Sequence, residues 1–255
     1  MIHSTAIIDS KAELAEDVEV GPYSIVGPDV QIDSGTVIAS HVVLKGPTTI
    51  GKNNKIFQFS SVGEDCQDKK YDGELTRLEI GDDNTIREYV TLHRGTIQDR
   101  ALTTIGSRNL FMAYVHVGHD CVVGNDIIFA NNATLAGHVT VGDGAILGGF
   151  TGVHQFCQVG AFSMAAMFSA INKDVPAFVM VQGNMAAAHG MNIVGMKRRG
   201  YSKELIKTLR NAYRIVYRQG VTIEEAKSQL KSLDQSSELK LFIDSIESSQ
   251  RGITR

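Results

Sequence analysis

Four of the eight histidines fall between residues 116 and 154: His116, His119, His138 and His154. Histidine is the side chain best suited to move a proton near neutral pH. Asp120 directly follows His119, where a carboxylate can orient an imidazole. Gly137 stands eighteen residues after His119, and Gln155 eighteen after that. His138 and His154 sit beside these two positions. A lone surface histidine is commonly a solvated polar group. Four that converge beside a glycine amide point to acid–base chemistry next to a hydrogen-bond donor.

Convergence requires a scaffold that repeats every eighteen residues, and the chain supplies one. Every sixth residue is a medium-sized aliphatic: Ile2, Ile8, Leu14, Val20, Val26, Ile32, Ile38, Leu44, Ile50, Ile56, Val62. The beat returns at Ile80, Ile86 and Leu92, is lost, and restarts at Ile105 to run through Ile171. Six matches neither the period of a helix nor that of a strand. It is the signature of a parallel β-helix in which three hexads close a triangular coil. Each aliphatic points into the prism, and coils stack at about 4.8 Å. His119, Gly137 and Gln155 share one offset from their aliphatics, which predicts one column on one edge.

Two stretches break the beat, at about 63–79 and 97–104, and read as loops thrown out of the prism. The first carries Asp68, Lys69 and Lys70, a solvated charge run unless it folds onto a neighbouring copy's histidine edge. The coil is expected over residues 1–183, followed by a linker and a small helical domain over 184–255. In that domain Ser202 can cap a helix that Gly220 stops. Thr222 and Glu225 form a capping box for a second, to about Leu233. A third starts near Ser236. So small a domain must pack on the prism or on another copy. Lys197-Arg198-Arg199 precedes the first helix and suits either a soluble linker or a phosphate clamp.

Composition excludes other classes. The net charge of −3 carries no general nucleic-acid footprint. No apolar run is long enough to span a membrane. Three cysteines without a CxxC pair, and no signal peptide, are the pattern of a reducing cytoplasm.

The stretches QDKKYDGE, TLHRGT, HVGHDCVVGN, ANNATLAGHV, GVHQFCQVGA, DVPAFV, QGN and MKRRGYS resemble the acyl-carrier-protein–UDP-N-acetylglucosamine O-acyltransferases of lipid A synthesis. The likeness covers essentially the whole chain, loops and tail included. It implies a left-handed coil, a homotrimer with active sites between subunits, and no metal or other cofactor. It implies transfer of a 3-hydroxyacyl group from acyl carrier protein to the glucosamine 3-hydroxyl of UDP-N-acetylglucosamine. By this likeness His119 is the general base, Asp120 its orienting partner and Gly137 the oxyanion donor. Substrate contacts fall on Asp68, Lys70, His116, His138, His154, Gln155, Asn192, Arg198 and Arg199. Basic surface residues would meet the carrier protein. Two positions depart from the family pattern. Val194 stands where a glutamate near the nucleotide is common. Met167 replaces the glycine that admits long acyl chains, so a donor shorter than 3-hydroxymyristoyl is expected. A sister N-acyltransferase would need an N-terminal domain for which repeats starting at Ile2 leave no room. A zinc anhydrase on the same coil would need three histidines such as His116, His119 and His138 on one metal. A non-catalytic solenoid would show uniform outward ladders instead of a local polar cluster.

Overall fold

The computed structural model of the chain describes residues 1–233 and 236–255. Most strands are two residues long, and they sort into three faces of a triangular prism. The first face has nine strands, from Ile7–Ile8 to Ala170–Ile171. The second has eight, from Glu13–Leu14 to Gln158–Val159. The third has ten, from Glu19–Val20 to Ala187–Met191. Pairing is parallel except in the last strand, which turns back against Val179–Gln182. The expected register holds: Val117 pairs with Leu135, and Leu135 with Val153.

The in-phase aliphatics fill the prism. From Val20 onward they are buried, and even Ala165 is 1% exposed. Ile2, by contrast, is 51% exposed, because the first coil has nothing stacked beneath it. Corners use the left-handed backbone at non-glycine residues, among them His41 (φ 56°), Asp120 (φ 57°), His138 (φ 62°) and Phe156 (φ 64°). Each such residue costs roughly 1–2 kcal/mol, which stacking between coils offsets. Where the second face meets the third, a buried ladder does so. Asn54 Oδ1 accepts from the Asn84 amide (2.9 Å), Asn84 Oδ1 from Asn109, and Asn109 Oδ1 from Ile127.

The three edges differ. The edge between third and first faces carries a column of rings: Tyr23, His41, Phe59, Tyr89 and Tyr114 at centroid spacings of 5.2, 5.4, 5.1 and 4.8 Å, the first two pairs tilted and the last two stacked. Both loops leave from the edge between first and second faces, which also bears His119. The first connects Ser61–Glu64 to Arg77–Ile80, and the second Thr91–His93 to Leu102–Ile105. The loops are therefore residues 65–76, shorter than the expected 63–79, and 94–101, as long as the expected 97–104 but displaced three residues towards the N-terminus. Polar Thr103 and Thr104 hide a strand, in which Thr103 is buried and its Oγ1 accepts from the Asp120 amide (2.8 Å). Arg94 pins the loops together. Its guanidinium donates to the carbonyls of Gly46 (2.6 Å) and Gly63 (2.8 Å) and to Tyr71 Oη (3.0 Å), and pairs with Asp65.

The stretch after residue 183 is not a plain linker. It holds the strand Ala187–Met191 and a short helix, α1 (Ile193–Arg198), so Lys197 and Arg198 lie in its last turn and Arg199 is its C-cap. Helices α2 (Lys203–Arg218), α3 (Ile223–Lys231) and α4 (Ser237–Glu247) have the expected caps at Ser202, Thr222 and Ser236. The tail packs on the same chain's prism. Buried Asp174 accepts from the Gln158 amide (2.7 Å), Ser249 Oγ (2.8 Å) and the amides of Gln250 and Arg251. All three cysteines are buried and free. No helix among the described residues is long and apolar enough to cross a membrane.

Candidate active site

The site grows from one corner. Strand His116–Val117 lies on the first face, and from it the chain turns through Gly118, His119 and Asp120 into the second. One coil on, the same turn places Gly137 against the His119 ring, so close that a methyl group there would run into the imidazole. The Gly137 carbonyl accepts from the Phe156 amide (3.3 Å), while its own N–H donates to no acceptor among the described residues. An imidazole and a free amide hydrogen thus share a ridge, as the eighteen-residue spacing predicts.

His119 Nδ1 lies 2.9 Å from Asp120 Oδ2. A carboxylate can only accept there, so Nδ1 carries the hydrogen and Nε2 is left basic. Asp120 is 2% exposed. Burial alone would raise its carboxyl pKa. Hydrogen bonds from His119 and Thr96 outweigh that and hold it below the ordinary value. Thr96, in the second loop, donates its amide (3.0 Å to each oxygen) and its hydroxyl (2.6 Å).

A cleft of about 500 Å³ opens over this ridge, with Asp68, Lys70, His119, His138 and Gln155 in its wall. The first loop therefore meets its own chain's histidine edge. An adjoining hollow of about 260 Å³ reaches His116 and His93. His116 Nδ1 is 2.7 Å from Thr91 Oγ1. Burial first, then the neighbouring His93 and His119, push His116 down to about 4. Burial likewise lowers His93, whose Nδ1 donates to the Asp65 carbonyl (2.6 Å). Both rings are neutral near pH 7.

Not every expected residue gathers here. His154 is exposed and turns Nδ1 to the Gln155 carbonyl (3.1 Å), outside both hollows. Asn192 caps α1, its oxygen accepting from Gly195 (2.9 Å) and its nitrogen donating to the Phe162 carbonyl (3.1 Å). Arg199 lies over the Phe162 ring at 4.5 Å and donates to the Gly144 carbonyl (3.3 Å). Gly144 and Phe162 occupy the corner between second and third faces, a different edge from His119. Arg198 and Val194 are exposed on α1. Met167 is exposed on the corner between third and first faces. Conversely, His93, Thr96 and Asp99 belong to the site, although the repeat gives no sign of them. The Thr-Leu-His-Arg-Gly-Thr stretch was the available signal for the first two.

Among the described residues, His116 does not join His119 and His138 in a group of ligand-like atoms. The ligand-like group within 4.8 Å of itself is His119, Asp120 and His138, without His116. Its oxygens are already committed to Thr96 and His119.

Residues 174–254 match a family model described as UDP N-acetylglucosamine O-acyltransferase, domain 2, and a bacterial transferase hexapeptide model matches residues 2–46 and 102–137. The chain is 62% identical to the acyl-carrier-protein–UDP-N-acetylglucosamine O-acyltransferase of Stutzerimonas stutzeri, over 100% of this chain and 99% of that one. It is also 62% identical to the enzyme of that name from Pseudomonas aeruginosa, with the same coverage. Among solved structures, LpxA from Acinetobacter baumannii superposes with a TM-score of 0.98 at 56% identity, over 100% of this chain and 99% of that one. The Arabidopsis UDP-N-acetylglucosamine acyltransferase gives 0.87 at 32%, with both chains fully covered.

Proposed function

The chain belongs to the acyl-carrier-protein–UDP-N-acetylglucosamine O-acyltransferase family, an acyltransferase on a left-handed β-helix, and from that premise we propose a mechanism of direct attack with His119 as general base. The acceptor is the glucosamine 3-hydroxyl of UDP-N-acetylglucosamine. The donor is a 3-hydroxyacyl thioester of acyl carrier protein, and the product opens lipid A biosynthesis. His119 Nε2 takes the hydroxyl proton. The oxygen forms a bond to the thioester carbon, the Gly137 N–H takes up the negative charge on the carbonyl oxygen, and the carbon–sulfur bond breaks. The proton passes from His119 to the departing thiolate. A positioned base contributes about 10²–10⁴ in rate and an oxyanion donor about 10²–10³. A thioester needs no further activation.

The observation that carries this reading is the contact of the His119 ring with Gly137 above a cleft walled by Asp68 and Lys70. Asn192, Arg198 and Arg199 belong to another edge of the same prism. They reach the nucleotide phosphates from a neighbouring copy, in a homotrimer with sites between subunits. His116 and Gln155 complete the substrate contacts from the histidine edge, and exposed His154 joins them once its ring turns back from the Gln155 carbonyl. Val194 offers the nucleotide no carboxylate.

Between the His119 corner and Met167 lies the outer surface of the first face. Its paired outward residues there are Thr134, Gly152 and Ala170, all small. An acyl chain laid across them would end at the Met167 side chain. Each methylene it forgoes is worth about 0.8 kcal/mol, so the preferred donor is 3-hydroxydecanoyl or 3-hydroxylauroyl.

A competition assay with UDP-N-acetylglucosamine and carrier-protein thioesters of graded length tests both parts. His119→Ala is expected to lower kcat/KM by roughly 10²–10⁴ with the fold intact. Met167→Gly is expected to shift preference to longer chains. Fastest wild-type turnover with 3-hydroxymyristoyl would refute the ruler, and an active His119→Ala enzyme would refute the base.

A further inference from the structure

The second loop holds two imidazoles, not one. Thr96 fixes Asp120 and, through it, His119. Three residues on, Asp99 Oδ2 lies 2.8 Å from His138 Nδ1. The His138 ring stacks on Phe156 (centroids 4.4 Å apart, 13° between planes) and stands edge-on to His119 (4.8 Å, 88°). Its side chain is 12% exposed. Position is thus set on three sides, by the corner backbone, the Phe156 ring and the Asp99 carboxylate.

The carboxylate decides which nitrogen works. It accepts a hydrogen bond, so Nδ1 of His138 carries the hydrogen, and Nε2 is the nitrogen available to a ligand in the cleft. We propose that Asp99 is a positioning residue for the transfer reaction. It locks His138 as the Nδ1–H tautomer and aims Nε2 at a hydroxyl of the acceptor sugar. This rests on the reading of the His119 cleft as the place where the sugar reacts. His138 would then bind the acceptor in the ground state and the transition state alike. Its loss of position should appear in the KM for the sugar nucleotide while the chemical step is largely kept.

The test is a double-mutant cycle with steady-state kinetics on UDP-N-acetylglucosamine and an acyl-carrier-protein thioester. Asp99→Ala is expected to raise KM for the sugar nucleotide about tenfold, one hydrogen bond's worth, with kcat within about threefold. In a His138→Ala background the same change should do nothing further. Asp99→Glu should recover part of the loss. Nitrogen-15 NMR of the histidine rings at alkaline pH should show His138 as Nδ1–H in the wild type, and a mixture in Asp99→Ala. An unchanged KM, an equal effect in the His138→Ala background, or an unchanged tautomer would overturn the proposal. Failure of the general-base reading looks different: His119→Ala would stay active while the Asp99–His138 coupling persisted.

Discussion

His41 and His138 occupy equivalent corner positions on two edges of the same prism, with nearly the same backbone (φ 56° and 62°). Both meet an aromatic ring one coil away, His41 tilted against Phe59 at 5.4 Å and His138 stacked on Phe156 at 4.4 Å. His41 belongs to a run of exposed rings on an edge that no loop leaves. His138 stands on the edge from which both loops emerge, next to His119 and tied to Asp99. The repeat makes the two positions alike. The loops make them different, because they bring carboxylates and hydroxyls to one edge only. In this fold an imidazole gains a task from what the interruptions carry to it.

That contrast can be broken most sharply at Gly137, where the histidine edge is tightest. Gly137→Ala should push the His119 ring aside and crowd the free amide. Turnover should fall by about 10²–10³ with an unchanged circular dichroism spectrum. Near-normal turnover would mean the ridge is no more specialised than its neighbours.

A smaller effect concerns pH and stability. His116 is held near 4 by burial, against about 6.5 in the unfolded chain. Below pH 6.5 the unfolded state binds the extra proton, so stability is lost as pH falls from 6.5 towards 4. The loss from this residue should reach roughly 2–3 kcal/mol. Urea midpoints compared across that window should show a shallower acid decline in His116→Gln. Parallel declines for the two proteins would remove His116 from the account.

The smallest effect is expected on the other edge. His41→Ala should leave catalysis unchanged and cost less than about 1 kcal/mol, the worth of an exposed ring contact. A catalytic defect there would dissolve the distinction between the edges.

The coil and its register could be read directly from spacing. Adding eighteen to His119 arrives at Gly137, and the two groups do touch. The rest escaped for physical reasons. Asp99 and Thr96 reach the site through a loop, whose path no period encodes. His93 follows Leu92 just before the beat is lost, and the register pairs His116 with Thr91, so no spacing announces that the His93 and His116 rings meet. Strand Leu102–Ile105 begins with one aliphatic and two threonines, which read as loop until Thr103 is seen buried in a corner. Helix α1 is six residues long with Gly195 inside, too short for a helical period to show. His154 has the right offset to sit beside Gln155, but offset does not set the rotamer, and its ring turns outward.

The buried cysteines have a practical consequence. Burial pushes the Cys121 thiol up to about 12 and Cys157 to about 11, and it raises Cys66 too. Alkylating dyes need thiolate, so the native protein should stay dark to maleimides under mild labelling. A single cysteine placed at exposed Met167 would then take up a fluorophore selectively, an optical gauge of whether the proposed acyl path ends there.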